Sequence, residues 1–236
     1  MIAILKSKLV ENADVLIGMQ SGIVTYVNPF SYLKLRKKLE LQDFDHITSD
    51  GIVVKQLSGL FLRRSVQRLS PDFSSYFSDL FKQVAASNST VYFVGAMPDL
   101  IGKSIDNIKH KYLTLNIIGY RNGYFKDIEE LDSHIKEIIS LNPELLIVGM
   151  GSPLQEEYLS KLKLAGWKGR GFACGGFLHQ ASKKADYYPN WINKMNLRWL
   201  YRIYNEPKLI KRYTIDYCWF LFVFFYDWMG YQFSKK

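Results

Sequence analysis

Cysteine is scarce in this chain, and its scarcity excludes two kinds of architecture. Only Cys174 and Cys218 are present, far apart and with no metal-ligand spacing around them. A disulfide scaffold and a cysteine-based zinc site are therefore excluded, which suits a reducing compartment. The four histidines share no ligand spacing either, so we assign no metal ligands.

Long hydrophobic runs are also missing. The apolar run over 217–226 has ten residues between Asp216 and Asp227, whereas a helix needs roughly 20 to cross a bilayer. The first residues, 1–8, lack the apolar core and the small-residue cleavage site of a secretory signal. We therefore expect an intracellular protein whose tail can lie on a membrane without spanning it.

Acidic residues are too few to balance the basic ones. The chain has 31 Lys and Arg against 22 Asp and Glu, a net charge of +9. Residues 194–236 alone contain eight of these basic residues, only three acids, and 14 of the 36 aromatic residues. An anionic partner is expected to bind this last part of the chain.

The same region contains a predicted amphipathic helix over 191–204, with Arg198 and Arg202 one turn apart, which Pro207 interrupts. Arginines opposite Trp and Phe are what a helix at a membrane surface needs. The alternative is that the aromatic residues pack against the core or a second subunit, as in a homo-oligomer. We favour contact with the membrane surface. We expect no nucleic-acid partner, because the net charge and the aromatic content are the only features that would support one.

Apolar stretches alternate with helical patterns through the first three quarters of the chain. Strands are predicted over 15–28, 90–94, 115–119, 145–148 and 169–176, a strand with a turn over 47–54, and helices over 31–41, 71–86, 99–112, 128–141 and 154–165. Continuous apolar strands are typical of a parallel sheet covered on both faces. The predicted fold is α/β, a Rossmann-like, mostly parallel sheet with helices on both faces over 1–190, followed by a helical, basic and aromatic C-terminal appendage over 191–236.

Asp50 and Gly51 break the second predicted strand at its carboxyl end. The β-branched residues on either side favour an extended chain, while Asp-Gly favours a turn, so a strand, a sharp turn and a helix from near Val53 are expected. Ligands of open α/β sheets lie at such turns. The Asp50 carboxylate could take a proton from a sugar hydroxyl or could cap the helix.

Three glycine-containing loops follow predicted strands: 95–98, 149–156 and 175–176. Glycine lets the backbone approach a phosphate closely, and a helix N-terminus offers amide donors. The dinucleotide fingerprint is excluded because Leu154 stands where its third glycine would fall. The loops around Gly95, Gly149, Gly151, Gly175 and Gly176 therefore predict a nucleotide or nucleotide-sugar site; the alternative is that these turns need glycine for their backbone conformation alone.

Two pairs of polar residues have candidate roles, Gln155 with Glu156 and Asp43 with Asp45. Gln155 could reach a bound sugar or base, whereas Glu156 is expected to be a surface acid favoured by the helix dipole. Asp43 and Asp45 form an acid-x-acid pair that could hold a divalent metal, but we favour a solvated loop because no supporting ligand is evident.

Four separated motifs, taken together, carry a family resemblance. They cover 50–54, 148–156, 175–176 and the tail from Leu197-Arg-Trp-Leu-Tyr-Arg202 through Glu206-Pro-Lys-Leu-Ile-Lys-Arg-Tyr213. In this order they resemble the signatures of the WecG/TagA/CpsF glycosyltransferase family, over nearly the whole chain. The resemblance implies an inverting, metal-free enzyme, with no cofactor, that transfers a sugar from a UDP-sugar to an undecaprenyl-diphosphate-linked sugar. It also implies a peripheral location on the cytoplasmic face of the bacterial plasma membrane.

The resemblance also implies roles for individual residues. It makes Asp50 the general base and places Gln155 beside the donor; the candidate substrate-binding residues are Asn28, Gly51, Gly95, Gly149, Gly151, Gln155, Gly175, Gly176, Arg198, Arg202, Lys211 and Arg212. Arg202 and Arg212 are the candidates for a diphosphate, because a guanidinium can bind two oxygens at once.

The chain departs from the family pattern in several places. The family's early Thr-x-Asn, with a threonine near the base, is represented by Thr25 three residues before Asn28. Thr25 is therefore the second catalytic candidate, with Tyr26 as the alternative for the threonine's place. Ser152-Pro-Leu-Gln155 replaces Ala-Pro-Lys-Gln, and Leu197-Arg-Trp199 replaces Leu-Glu-Trp. These changes affect the identity of the donor sugar more than the reaction.

The expected function is transfer of N-acetylmannosamine, its uronic acid or another hexose in surface polysaccharide or teichoic acid biosynthesis. The alternative is a non-catalytic membrane-surface adaptor that binds a nucleotide sugar through the same loops.

Overall fold

The computed structural model describes residues 1–195 and 197–234. Asn196, Lys235 and Lys236 lie outside the described residues, as do the side chains of Asn190 and Lys208; three of these are basic residues of the tail.

A parallel sheet forms the centre of the described structure. Its strands are β1 (Gly22–Val27), β2 (His46–Ser49), β3 (Thr90–Gly95), β4 (Asn116–Arg121), β5 (Leu145–Gly149) and β6 (Arg170–Ala173). They pair in the order β2-β1-β6-β5-β3-β4, and every pairing is parallel. The α/β fold with a parallel sheet, predicted from the alternating patterns, is confirmed.

Helices account for most of the remaining chain. They are α1 (Ile2–Lys8), α2 (Asp14–Ile17), α3 (Pro29–Leu35), α4 (Ile52–Leu57), α5 (Phe77–Ala86), α6 (Ile101–Lys111), α7 (Ile128–Leu141), α8 (Leu154–Leu164), α9 (Phe177–Lys183), α10 (Asn190–Lys194), α11 (Arg198–Asn205), α12 (Ile210–Tyr213) and α13 (Ile215–Phe233). Short 3-10 turns cover Leu39–Gln42 and Pro207–Leu209, and a π turn covers Ser58–Leu62.

The alternation of side chains along the strands builds a core on each face of the sheet. In β3, Val91 and Phe93 belong to a cluster with residues of α5, α6 and α9. Tyr92 and Val94 point the other way, into a cluster with residues of α7 and α8. Because side chains alternate along a strand, one apolar strand supplies both layers.

The predicted helix over 71–86 is wrong in its first turn. The side chain of Asp72 accepts a hydrogen bond from the Ser74 backbone amide at 2.9 Å, and α5 begins only at Phe77. A short carboxylate side chain that bonds its own backbone stabilises a turn at the expense of a helix. Ser70, predicted as the cap of that helix, is free for another role described below.

Two further boundaries differ from the prediction. The strand predicted over 15–28 contains the helix α2, whose first amide, on Asp14, donates to the Asn12 side chain at 3.1 Å. The single helix predicted over 191–204 is two helices, α10 and α11, because the Leu197 amide turns back to the Ile192 carbonyl at 3.0 Å.

The C-terminal appendage packs against the sheet domain through one side of α13. Phe220, Val223 and Phe224 are buried in a cluster with residues of α1 and α3. The ring of Tyr32 meets the edge of Phe220 with 5.1 Å between centroids. This side of α13 therefore belongs to the core, as one of the two sequence-based interpretations proposed.

The opposite side of α13 is exposed and apolar. Among its residues Trp219, Phe222 and Tyr226 have 56%, 63% and 70% of their surface exposed. No helix in the described ranges, α13 included, combines the length and hydropathy required to cross a bilayer.

Candidate active site

The main cleft lies at the carboxyl ends of four strands. Its walls include residues that directly follow β1, β2, β5 and β6, together with side chains of α11, α12 and α13. Its volume is about 430 Å³. In parallel α/β sheets this edge is where ligands bind, and here the appendage closes it on one side.

Asp50 lies in this cleft, half-buried, immediately after β2. Its Oδ2 accepts a hydrogen bond from Asn28 Nδ2 at 3.0 Å, and its Oδ1 accepts one from Ser70 Oγ at 2.7 Å. Each oxygen keeps a further lone pair, because an ionised carboxylate can accept about four hydrogen bonds. The carboxylate is thus oriented on both sides and can still accept a proton from a ligand.

Asn28, predicted to bind substrate, also has a structural role. Its Oδ1 accepts from the Ser31 amide at 2.9 Å and caps α3, while its Nδ2 holds Asp50. Gly51 begins α4 from a φ of +99°, a backbone conformation that glycine adopts without strain. The strand, turn and helix expected around Asp50 are therefore present, with the helix beginning at Ile52.

The loop after β6 approaches the floor of the cleft very closely. Gly175 has a φ of +55°, and a Cβ placed on it would overlap the hydroxyl of Tyr26. A Cβ on Gly176 would lie 3.5 Å from a terminal guanidinium nitrogen of Arg202. Tyr26 lines the cleft, and burial is the main factor that raises the pKa of its hydroxyl.

The predicted cations of the appendage fall into three groups. Arg202 and Arg212 line the cleft, the first beside Gly176 and the second stacked 4.0 Å over the ring of Phe30. Arg198 also lines it, but donates to Asp72 Oδ2 at 3.1 Å and to the Ser74 carbonyl at 3.1 Å. Lys211 is exposed and lies outside the cleft.

Arg202 lies in the cleft among tyrosine hydroxyls and carboxylates. Burial by itself would lower the pKa of its guanidinium, but nearby Tyr188, Tyr213, Glu206 and Asp50 reverse this and raise the pKa above its usual value. Its Nε is buried and makes no hydrogen bond within the described residues. A buried guanidinium with unused donor capacity suits an anionic ligand.

Besides Lys211, four more predicted site residues lie outside the cleft. Gly95 and Gly149 pack against each other, and a Cβ on Gly95 would lie 2.6 Å from the Gly149 carbonyl carbon. Their small size serves the close approach of β3 and β5. Thr25 and Gln155 are fully buried beneath the cleft lining, with 1% and 0% of their surface exposed.

Glu156 contradicts its predicted exposure. It is buried, with 1% of its surface exposed, and its Oε1 accepts hydrogen bonds from Thr25 Oγ1, Gln155 Nε2 and Ser152 Oγ at 2.7, 2.8 and 3.1 Å. Tertiary contacts therefore override the position in the first turn of α8 that predicted a surface acid.

The acid-x-acid pair Asp43 and Asp45 is engaged within the protein. Lys163 Nζ lies 2.7 Å from Asp45 Oδ2, which also accepts from the Ile23 amide at 2.8 Å. Ser160 Oγ donates to Asp43. Over residues 1–195 and 197–234, three or more His, Cys, Asp or Glu residues do not come together as a metal site would require.

Several cleft residues were not predicted from the sequence. Ser70 donates a hydrogen bond to Asp50, and the ring of Phe30 lies under the guanidinium of Arg212. Arg68 and Asp72 also line the cleft. Residues 68 and 70 reach the cleft because the chain forms a bridge from Arg68 to Ser49 at the end of β2. No local pattern signals such a bridge.

Comparison with known proteins adds independent evidence. The profile of the Glycosyl transferase WecG/TagA/CpsF family matches residues 4–233. A UDP-Gal:alpha-D-GlcNAc-diphosphoundecaprenol beta-1,4-galactosyltransferase of Shigella boydii is 33% identical over 211 residues, covering 89% of this chain and 86% of the relative.

Two further relatives transfer a different sugar. They are N-acetylglucosaminyldiphosphoundecaprenol N-acetyl-beta-D-mannosaminyltransferases from Bacillus subtilis strain 168 and Bacillus spizizenii W23, which are 28% and 26% identical. The matches cover 81% and 75% of this chain, and 74% and 67% of the relatives. Because the family match covers the sheet domain, the cleft and the appendage alike, the chain belongs to the WecG/TagA/CpsF glycosyltransferase family and is a glycosyltransferase.

Proposed function

We propose that this enzyme transfers a hexose from a UDP-sugar to a sugar linked to polyprenyl diphosphate, with inversion at the anomeric carbon. The names of the relatives support the acceptor class, since all three refer to an N-acetylglucosaminyl-diphosphoundecaprenol substrate. The name of the Shigella relative supports a UDP-linked donor.

The observation that carries the proposal is the carboxylate of Asp50, fixed by Asn28 and Ser70 at the cleft. In the proposed reaction an Asp50 oxygen takes the proton of the acceptor hydroxyl, and the hydroxyl oxygen bonds to the anomeric carbon. The bond from that carbon to the UDP oxygen breaks, and UDP leaves with the electron pair. One general base suffices for such a displacement.

The departing UDP needs positive charge near its diphosphate. Arg202 and Arg212 line the cleft on the appendage side, and the backbone of Gly175 and Gly176 lines it on the sheet side. Guanidinium groups and backbone amides stabilise the charge that develops on a leaving phosphate oxygen. We therefore assign the diphosphate to the space between these arginines and the loop after β6.

The donor sugar is the point at which the relatives differ. The Shigella enzyme is named for galactose and the Bacillus enzymes for N-acetylmannosamine. We propose UDP-galactose first, since the galactosyltransferase shares more of this chain's residues over a longer stretch. Transfer assays with UDP-galactose, UDP-N-acetylmannosamine and their epimers, on a short-chain lipid diphosphate-linked N-acetylglucosamine, identify the donor.

Replacement of the proposed base tests the mechanism. Asp50→Asn keeps the shape and an oxygen acceptor but removes the base, so turnover should fall by about 10²-fold or more while UDP binding is retained. Calorimetric UDP titration and initial rates measure the two effects. Asp79→Asn is the matched control, because Asp79 is an exposed acid on α5, where it pairs with Lys82, and it does not line the cleft. Turnover of Asp50→Asn equal to that of the control would remove the base assignment.

A further inference from the structure

Glu156 is a buried carboxyl to which the proposed reaction assigns no role. Its Oε1 accepts three hydrogen bonds, from Thr25 on β1, from Ser152 in the loop after β5, and from Gln155 at the start of α8. Its Oε2 is buried and makes no hydrogen bond within the described residues. Burial is the main factor that raises the pKa of this carboxyl.

The hydrogen bonds continue from Glu156 to the wall of the cleft. Gln155, held through its Nε2 by Glu156, accepts a hydrogen bond at its Oε1 from the Gly175 amide at 2.9 Å. Gly175 in turn lies against the hydroxyl of Tyr26. Through Gln155 one carboxyl therefore connects the loop after β5 with the loop after β6.

Both connected loops face the space assigned to the donor. Gly151 and Ser152 line the cleft after β5, and Gly175 and Gly176 line it after β6. Thr25, Gln155 and Glu156 do not line it themselves. Donors that converge on one buried carboxylate oxygen hold their segments in a fixed arrangement, whereas removal of that oxygen takes away their common acceptor.

We propose that Glu156 is a positioning residue that fixes the two loops around the UDP-sugar, and that Thr25 acts through it. This inference rests on the proposed function for the identity of the ligand. It predicts a defect in donor binding, because Asp50 is held separately by Asn28 and Ser70. The acceptor hydroxyl should still meet a correctly placed base.

Three variants of Glu156 and its partner test the inference. Glu156→Gln keeps a carbonyl oxygen for the three donors, so its KM for the UDP-sugar should stay within about threefold of wild type. Glu156→Ala removes the acceptor that Thr25, Ser152 and Gln155 share, so the KM and the calorimetric Kd for the UDP-sugar should rise by about tenfold or more, with a smaller change in kcat. Thr25→Val removes one donor outside the cleft and should raise the Kd by about threefold.

The outcomes separate this inference from the proposed function. The positioning role would be overturned if the Kd of Glu156→Ala equalled that of wild type. It would also be overturned if Glu156→Gln bound the UDP-sugar as weakly as Glu156→Ala while keeping the wild-type melting temperature. If Glu156→Ala does not fold, the Kd of Thr25→Val decides, and an unchanged value is again contradictory. Because Kd is measured without turnover, the result stands apart from the Asp50→Asn assay, which tests the reaction alone.

Discussion

At the scale of single residues, the cleft depends on groups whose partners are distant in the chain. Asp50 is oriented by Ser70, 20 residues later, and by Asn28, 22 residues earlier. Gly175 allows Tyr26 to lie against the backbone of the loop after β6. Each of these contacts joins segments that are far apart in the sequence.

A glycine-to-alanine pair measures the closest of these contacts. Gly175→Ala should lower the melting temperature by about 4–8 °C, since a Cβ there is strained by positive φ and overlaps Tyr26, a cost of about 2 kcal/mol. Gly176→Ala is the control, because its φ is −81° and its Cβ would make only an ordinary contact. Calorimetry of both variants gives the comparison.

The Tyr26 hydroxyl is the atom that Gly175→Ala should displace. The double variant Tyr26→Phe with Gly175→Ala should therefore recover part of the lost melting temperature. Equal melting temperatures for Gly175→Ala and Gly176→Ala would contradict the close packing of Gly175 against the Tyr26 hydroxyl.

At the scale of secondary-structure elements, buried polar side chains join helices to strands. His134 on α7 lies between two tyrosine hydroxyls, 3.1 Å from Tyr158 on α8 and 3.3 Å from Tyr92 on β3. One ring nitrogen can accept and the other donate only when the imidazole is neutral. Burial, followed by the charge of Arg121, lowers the pKa of His134 to about 4.

This depressed pKa predicts an acid-sensitive stability. The unfolded chain binds a proton at His134 near pH 6.5 and the folded protein only near pH 4, so stability is full above pH 6.5 and falls as the pH drops towards 4. The loss should amount to about 3 kcal/mol. Chemical denaturation at several pH values measures it, and His134→Gln should flatten the dependence. A wild-type curve that is flat between pH 6.5 and 4 would contradict the prediction.

The helix α13 is joined to the sheet domain by a different polar cluster. Asp227 pairs with Arg36, and its Oδ2 accepts from the Tyr32 hydroxyl at 2.7 Å. Burial opposes ionisation of Asp227, but the hydrogen bonds from Arg36 and Tyr32 outweigh it and lower its pKa. Because α13 also supplies buried aromatic residues, deletion of 191–236 would disrupt the core as well as the appendage.

At the scale of the whole molecule, apolar surface and positive charge occur on the same appendage. α13 exposes aromatic rings, and residues 194–236 contain eight basic residues against three acids. Such a surface can insert rings at the headgroup level while cations attract anionic lipid. We propose that this side of the appendage contacts the membrane that holds the lipid-linked acceptor.

Charged substitutions on the exposed side of α13 test this proposal without touching the core. Trp219→Asp with Phe222→Asp should reduce binding to vesicles of anionic phospholipid by about tenfold or more, since each exposed ring contributes apolar area. Vesicle flotation measures the effect, and melting temperatures should stay unchanged. Leu113→Asp is the control, because Leu113 is an exposed apolar residue in the turn before β4 and lies outside the appendage. Undiminished flotation of the double variant would rule out this side as the membrane contact.

The sequence by itself determined the alternation of strands and helices, the parallel sheet and the turn at Asp50. These features follow from local rules: the apolar period sets the element, and Asp-Gly sets the turn. The family resemblance, carried by four motifs in order, likewise required only the chain itself and was confirmed by the match over residues 4–233.

Only the tertiary structure decided which of the candidate residues face the cleft. Thr25 and Glu156 are hydrogen-bonded although 131 positions separate them in the sequence, and Arg198 and Asp72 although 126 do. No local pattern could show that these residues pair with each other. The same holds for Ser70, which the sequence suggested as a helix cap and the fold places on Asp50. The strand order of the sheet determines which strand ends lie together at one edge, and therefore which side chains can hydrogen-bond. That strand order is a property of the folded chain.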